Sequence, residues 1–278
     1  MGKLLKPGEI LEATSNIGLA KANTKPINQV ILGILAGAFI AFAAQGSNMA
    51  AFNLLAKPET FGLGKLVSGL VFTPGLIFVL IAGAELFTGN MLMFAALFDK
   101  KITWASLIRT LVLVYIGNFI GSLLIAWMVS QSGQWGAAAN ALGARTILIA
   151  NGKVGLTFGK AFILGILCNW LVCLGVWMSF GADSQVGKML SAFFPIMLFV
   201  TSGFEHSIAN MYYIPAGIMA KANPDFLAAT GLGADELANL TWSGFFTNNL
   251  IPVTLGNIVG GVVFVALAYW IVYRKKSA

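Results

Sequence analysis

The chain has a single histidine, His206, which follows a glutamate in the stretch Gly203-Phe204-Glu205-His206-Ser207-Ile208-Ala209-Asn210-Met211. Apolar runs flank it, from Phe193 to Val200 before and from Tyr212 to Met219 after. A carboxylate and an imidazole therefore fall at membrane depth, where an ionisable side chain costs about 3 kcal/mol or more and by default marks a pathway or a partner. An imidazole titrates near neutral pH, so it can hydrogen-bond a passing anion or lend it a proton. An earlier stretch, Gly83-Ala84-Glu85-Leu86-Phe87-Thr88-Gly89-Asn90-Met91, has the same design, Gly-x-Glu-x-x-x-x-Asn-Met. Thr88 there can offer its hydroxyl to an anion or cap the half-helix that follows. Lys153 is either an attractor for anions or an interfacial lysine. Glu205, unpaired, would depress anion entry, so it is expected to be satisfied by Lys153, Asn169 or backbone donors, and to hold Lys153 in place.

Both stretches make poor continuous helices, being rich in glycine and, around the second, proline. Free backbone groups at membrane depth are tolerated only against protein or a water-filled cavity. The duplication extends further. Val114-Tyr115-Ile116-Gly117-Asn118-Phe119-Ile120-Gly121 recurs as Val253-Thr254-Leu255-Gly256-Asn257-Ile258-Val259-Gly260, and Gly33-Ile34-Leu35 recurs as Gly165-Ile166-Leu167, in the same order. Internal symmetry with interrupted hydrophobic segments at matching places points to a channel or transporter whose site lies at the repeat interface. In this repeat Asn169 takes the place of Gly37, as interhelical glue or facing the pathway.

Composition fits such a class. Hydrophobic residues make up 58% and charged residues 10% of the 278, with a mean hydropathy of +0.84, which excludes an ordinary soluble domain. The net charge of +7 is scattered over loops and ends without forming a patch, so no nucleic-acid partner is expected. Cys168 and Cys173 face different sides of one helix and indicate neither a disulfide framework nor a metal pair.

Hydropathy predicts six spans, over about 29–52, 63–97, 104–129, 156–180, 187–220 and 249–273, with the second and fifth too long to be straight. Residues 1–26 form an N-terminal segment whose stretch 7–24 is an amphipathic helix on the membrane surface or a simple anchor; 27–273 form the transmembrane domain and 274–278 a basic tail. Six spans put both termini on one side. That side collects most of the 17 lysines and arginines, which places it in the cytoplasm. Three spans per half require the halves to insert with opposite orientation.

Together, Ala84-Glu85-Leu86-Phe87-Thr88, Gly165-Ile166-Leu167-Cys168-Asn169 with Leu171-Val172-Cys173, Ser202 to Met211, and Asn249-Leu250-Ile251-Pro252-Val253-Thr254 resemble the formate/nitrite transporter family, formate channels most closely, over nearly the whole chain. The resemblance implies an all-α membrane protein with an aquaporin-like fold: six transmembrane helices in two inverted three-helix repeats, with broken second and fifth spans. It implies one pore per protomer, a homopentamer in the inner membrane, and no cofactor. Residue by residue, it makes Thr88 and His206 the facing pair of the central site. Leu76, Phe87, Phe72 and Phe199 become the constrictions, and Lys153, Asn169 and Glu205 a polar cluster to one side. The substrate expected is a small monovalent anion: formate, or else nitrite or hydrosulfide.

Two other classes compete. A neutral-solute aquaporin would carry paired Asn-Pro-Ala signatures, and neither break contains one. A membrane-embedded enzyme would use Glu205 and His206 as acid and base, but one histidine without a second ligand argues against a metal site, and neither a nucleophile elbow nor a phosphate loop is present.

Overall fold

The computed structural model describes residues 4–274. The elements are α1 (Pro7–Ala22), α2 (Pro26–Ala51), α3 (Pro58–Gly83), α4 (Gly89–Phe98), α5 (Trp104–Gln131), α6 (Ala141–Val154), α7 (Phe158–Gly181), α8 (Gln185–Ser202), α9 (Ser207–Lys221) and α10 (Trp242–Tyr273). Six of them, α2, α3, α5, α7, α8 and α10, are long and apolar enough to cross a membrane. Lys275 to Ala278, most of the tail inferred from sequence, lie outside the described residues.

The helix α3 stops at Gly83 and α8 stops before Gly203, whose φ values are +86° and +78°. This left-handed conformation is open to glycine and costs a side-chain-bearing residue about 1 kcal/mol or more, so each glycine ends its helix where the chain must turn. Four residues after Gly203 the chain is helical again at Ser207, and after Gly83 it is helical again at Gly89.

The backbone freed at the two turns is satisfied in the same way. The Glu85 N–H donates to the Leu32 carbonyl (3.1 Å) and the Glu205 N–H to the Leu164 carbonyl (3.3 Å). A fully buried asparagine does the rest. Asn118 on α5 donates from Nδ2 to the carbonyls of Gly33 (2.8 Å) and Glu85 (2.9 Å), while its Oδ1 accepts from the Phe87 N–H (2.9 Å). Asn257 on α10 donates to the carbonyls of Gly165 (2.8 Å) and Glu205 (3.0 Å) and accepts from the Ser207 N–H (2.8 Å). A primary amide has the two donors and the acceptor that this task demands, which explains why the Gly-Asn pair recurs in the repeat.

Helix packing follows the same duplication. The largest contacts are α2 with α5 and α7 with α10. At Gly37 the α2 backbone approaches the backbone of Asn118 so closely that a Cβ would collide with it. The equivalent residue in the other half, Asn169, spans the corresponding gap with its side chain and donates to the Asn257 carbonyl at 2.6 Å.

Sequence reading placed residues 7–24 on the membrane surface or as an anchor. The helix does form, but it buries Ile10, Leu11, Thr14, Ser15, Gly18 and Ala22 against α4, α7 and α10. Ser15 Oγ donates to Asp99 (2.6 Å), which also accepts from Trp270 Nε1 (2.8 Å). The face that docks is made of small and hydroxyl-bearing residues as much as of apolar ones, so hydrophobic periodicity misses it.

Removing either clamp takes the amide partner from the turn's carbonyl and N–H, Glu85 and Phe87 or Glu205 and Ser207, at about 1–3 kcal/mol for each group left unpaired, while the helical carbonyl of Gly33 or Gly165 loses only a second bond. Asn118→Ala and Asn257→Ala should therefore each lower the thermal unfolding midpoint of the detergent-solubilised protein by several degrees. An unchanged midpoint in both would show that the turns do not depend on these amides.

Candidate functional site

The two turns bring Thr88 and His206 together, although they are far apart in the chain. His206 is the N-cap of α9, its Nδ1 accepting from the Ala209 N–H at 3.1 Å. Its Nε2 lies 2.9 Å from Thr88 Oγ1. A backbone N–H can only donate, so Nδ1 must present its lone pair, and in the neutral ring the proton sits on Nε2. The ring then donates to Thr88 Oγ1, and the Thr88 hydroxyl hydrogen is left to donate to a solute. Thr88 makes no side-chain cap to α4; its carbonyl accepts from Asn169 Nδ2 (3.1 Å) and Cys173 Sγ (3.2 Å). Asn169 thus backs Thr88 and does not join Lys153 and Glu205, because the α7 face at this position looks toward α10 and the first turn.

Two cavities lie near this pair; His206 lines the larger, while Thr88 is itself fully buried and lines neither. The larger, about 350 Å³, is lined by Phe72, Lys153, Phe199, Glu205 and His206 among others. The smaller, about 310 Å³, is lined by Lys21, Leu76, Glu85, Leu86 and the Gly89-Asn90 pair that follows Thr88. Phe72 and Leu76 lie one turn apart on α3, so this helix passes from one cavity to the other. Phe72 and Phe199 meet edge to face with ring centres 5.8 Å apart, and Phe199 lies 5.9 Å from the His206 ring. Phe87, expected beside Leu76, is buried edge-on against Tyr115 with ring centres 4.7 Å apart. Among the described residues it lines neither cavity.

Each cavity carries a lysine held by the glutamate of its turn. Lys153 Nζ donates to Glu205 Oε1 at 2.8 Å and lies 5.4 Å from the centre of the Tyr213 ring. Glu205 Oε2 accepts from Asn210 Nδ2 (2.7 Å) and Asn249 Nδ2 (3.1 Å), so both carboxylate oxygens are occupied. On the other side Lys21 Nζ, from α1, donates to Glu85 Oε2 and Asn90 Oδ1, both at 2.8 Å, and Asn90 Nδ2 donates to Glu85 Oε2 at 2.9 Å. The Glu-x-x-x-x-Asn spacing of the repeat is thereby explained: the asparagine comes round one turn later to bind the glutamate.

Sequence reasoning did not assign roles to Lys21, Asn90, Asn118, Asn210, Asn249 or Asn257. The repeat held the signal for four of these asparagines, since Asn90 recurs as Asn210 and Asn118 as Asn257. Nothing in the chain's pattern marked Lys21, whose partner lies across the tertiary fold. The arrangement provides a lysine in each cavity, with a surplus of positive charge in the larger, an apolar narrowing, and a hydroxyl–imidazole pair with a free hydroxyl hydrogen beyond it. That set is suited to a small solute with negative charge on oxygen.

The sequence profile described as formate/nitrite transporter matches residues 8–271 of this chain. The formate channel FocA of Escherichia coli (strain K12) is 40% identical over 280 residues, covering 99% of this chain and 96% of that protein. The formate channel FocA of Haemophilus influenzae is 42% identical over 265 residues, covering 95% and 93%. A solved structure titled as a pentameric formate channel with formate bound superposes with a TM-score of 0.80 at 40% identity, covering 90% of this chain and 98% of that one. Matched along nearly its whole length by profile, sequence and fold, this six-helix membrane protein belongs to the formate/nitrite transporter family.

Proposed function

We propose that the chain is a formate channel of the cell membrane, without catalytic activity, with one pore in each protomer of a pentamer. The observation that carries the reading is the buried Thr88–His206 pair, with His206 on the larger cavity, the residues that follow Thr88 on the smaller, and a glutamate-held lysine in each cavity. The relatives named as formate channels and the pentamer with formate bound support the choice of substrate and assembly. We read the duplicated clamps as two three-span repeats inserted with opposite orientation, with both termini and the α1 side cytoplasmic, in keeping with the excess of lysine and arginine there. The transmembrane unit then runs over 27–273, with α1 docked on it as a seventh part of the pore lining.

In this reading Lys153 attracts the anion on one side and Lys21 on the other, while Glu205 and Glu85 fix the ammonium groups. Beyond them the anion loses water against Phe72 and Phe199, or against Leu76, a step that costs several kcal/mol unless new donors replace the water. Thr88 Oγ1–H is the donor that stands free, and His206 Nε2–H becomes the second when it turns from Thr88 Oγ1 to the anion. A neutral imidazole can surrender its Nε2 proton only if Nδ1 gains one at the same time, and Nδ1 is facing the Ala209 N–H. His206 therefore acts as a hydrogen-bond donor, and formate crosses as the anion.

Formate flux into liposomes, with membrane current and internal pH recorded together, tests this. Current without matching acidification is expected; acidification with little current would overturn the charged crossing, and nitrite or hydrosulfide flux in the absence of formate flux would overturn the substrate. His206→Phe removes one charge-assisted hydrogen bond worth about 1.5–3 kcal/mol, so formate flux should fall roughly 10- to 100-fold while the fold is kept. Lys21→Met should lower flux and stability together by leaving Glu85 without its cation, and adding Glu85→Gln should restore stability but not flux. Equal stability in the single and double variants would argue against the pairing.

A further inference from the structure

The two cavities differ in charge. The smaller is lined by one cation and one carboxylate, Lys21 and Glu85, which pair with each other. The larger is lined by three cations, Lys65, Arg145 and Lys153, and one carboxylate, Glu205. Glu205 is already occupied by Lys153, Asn210 and Asn249. Among the described residues neither Lys65 nor Arg145 forms an ion pair, and the buried Nε of Arg145 has no hydrogen-bond partner. The cavity therefore holds a surplus of positive charge that no protein group neutralises. A guanidinium left this way is costly unless water or a ligand meets it.

The repeat shows that this surplus is not part of the common architecture. If Lys153 on α6 corresponds to Lys21 on α1, the register that holds Arg145 holds Ala13 in the other half. The turn, the glutamate and its lysine are complete there without a second cation. Lys65 comes from α3, and its Nζ lies beside Gly203 at the end of α8, above the turn that leads to His206. Arg145 and Lys65 thus stand on two elements facing one space of about 350 Å³, with the Phe72–Phe199 narrowing beyond them.

We infer that Arg145 and Lys65 form a binding site for a small dicarboxylate, which lodges in the larger cavity and blocks the passage. The planar guanidinium matches one carboxylate with two parallel hydrogen bonds, and the Lys65 ammonium takes the other as a point charge. Desolvation cost rises with the square of the charge, so a dianion cannot follow a monovalent anion past the phenylalanine pair. It is held where the surplus charge is and excludes the permeant ion. The blocking step rests on the channel reading above; the binding step does not.

Malonate is the probe, in two measurements on the intact protein. In detergent, low-millimolar malonate should raise the thermal unfolding midpoint relative to chloride at equal ionic strength, and the rise should vanish in Arg145→Gln. In liposomes, malonate should inhibit formate flux from the side of the larger cavity only. The half-inhibiting concentration should be about tenfold higher in Arg145→Gln and in Lys65→Met, with Arg145→Lys in between. A midpoint shift or inhibition of equal size in wild type and Arg145→Gln, or no malonate effect in either measurement, would overturn the site. If Arg145→Gln does not fold, Lys65→Met carries the same comparison. An Arg145-dependent midpoint shift in a protein that passes no formate would uphold the site and overturn the channel reading. Formate flux with no malonate effect would do the reverse.

Discussion

A helix that stops within an apolar layer leaves carbonyl and N–H groups that water cannot reach, and every other feature of this protein depends on how those groups are satisfied. Here the answer is a pair of buried asparagines, Asn118 and Asn257, each lodged in a neighbouring helix and each serving two carbonyls and one N–H. The turns they hold carry Thr88 and His206. Without the clamps those two side chains would sit on flexible connections, and the 2.9 Å contact between them would not be maintained.

The duplication is close in the backbone and incomplete in the side chains, and the facing polar pair arises from the incompleteness. The same turn that holds Thr88 in the first half holds Ile208 at the matching place in the second, and His206 matches Leu86. Each half thus offers one polar group where the other offers an apolar one, and the two polar groups meet. Asn169 is a further departure. Where Gly37 lets two backbones touch, Asn169 fills the gap and secures the Thr88 carbonyl together with Cys173. A site between two copies of a scaffold can be polar on one line and apolar around it because the copies have diverged at a few positions.

Both glutamates are held by a lysine and an asparagine, Glu205 by a second asparagine as well, and the charges are arranged so that the lysine is the member of the pair that keeps free donors. This resolves what looks contradictory for an anion passage, a carboxylate next to the central histidine. Glu205 is partnered on both oxygens and buried, and it orients the cation that faces the cavity. α1 does the same for Glu85 from a helix outside the six long apolar ones, which makes the N-terminal helix part of the polar machinery.

The sequence by itself determined the class of protein, because apolar runs of membrane length and an interrupted, duplicated motif have few other physical explanations. It also singled out the ionisable residues of the two turns, since one histidine and two glutamates in apolar surroundings stand out without any coordinates. The tertiary structure alone decided what binds what. Asn169 is at the Thr88 carbonyl and away from Lys153, Phe87 is against Tyr115, and Lys21 is on Glu85. Those pairings join residues that are distant in the chain and are set by the rotation of each helix about its own axis. Hydrophobic periodicity fixes that rotation poorly when a helix is apolar nearly all round, as α2, α5, α7 and α10 are. In such helices the polar contacts choose the orientation, and they become visible only once the helices are packed.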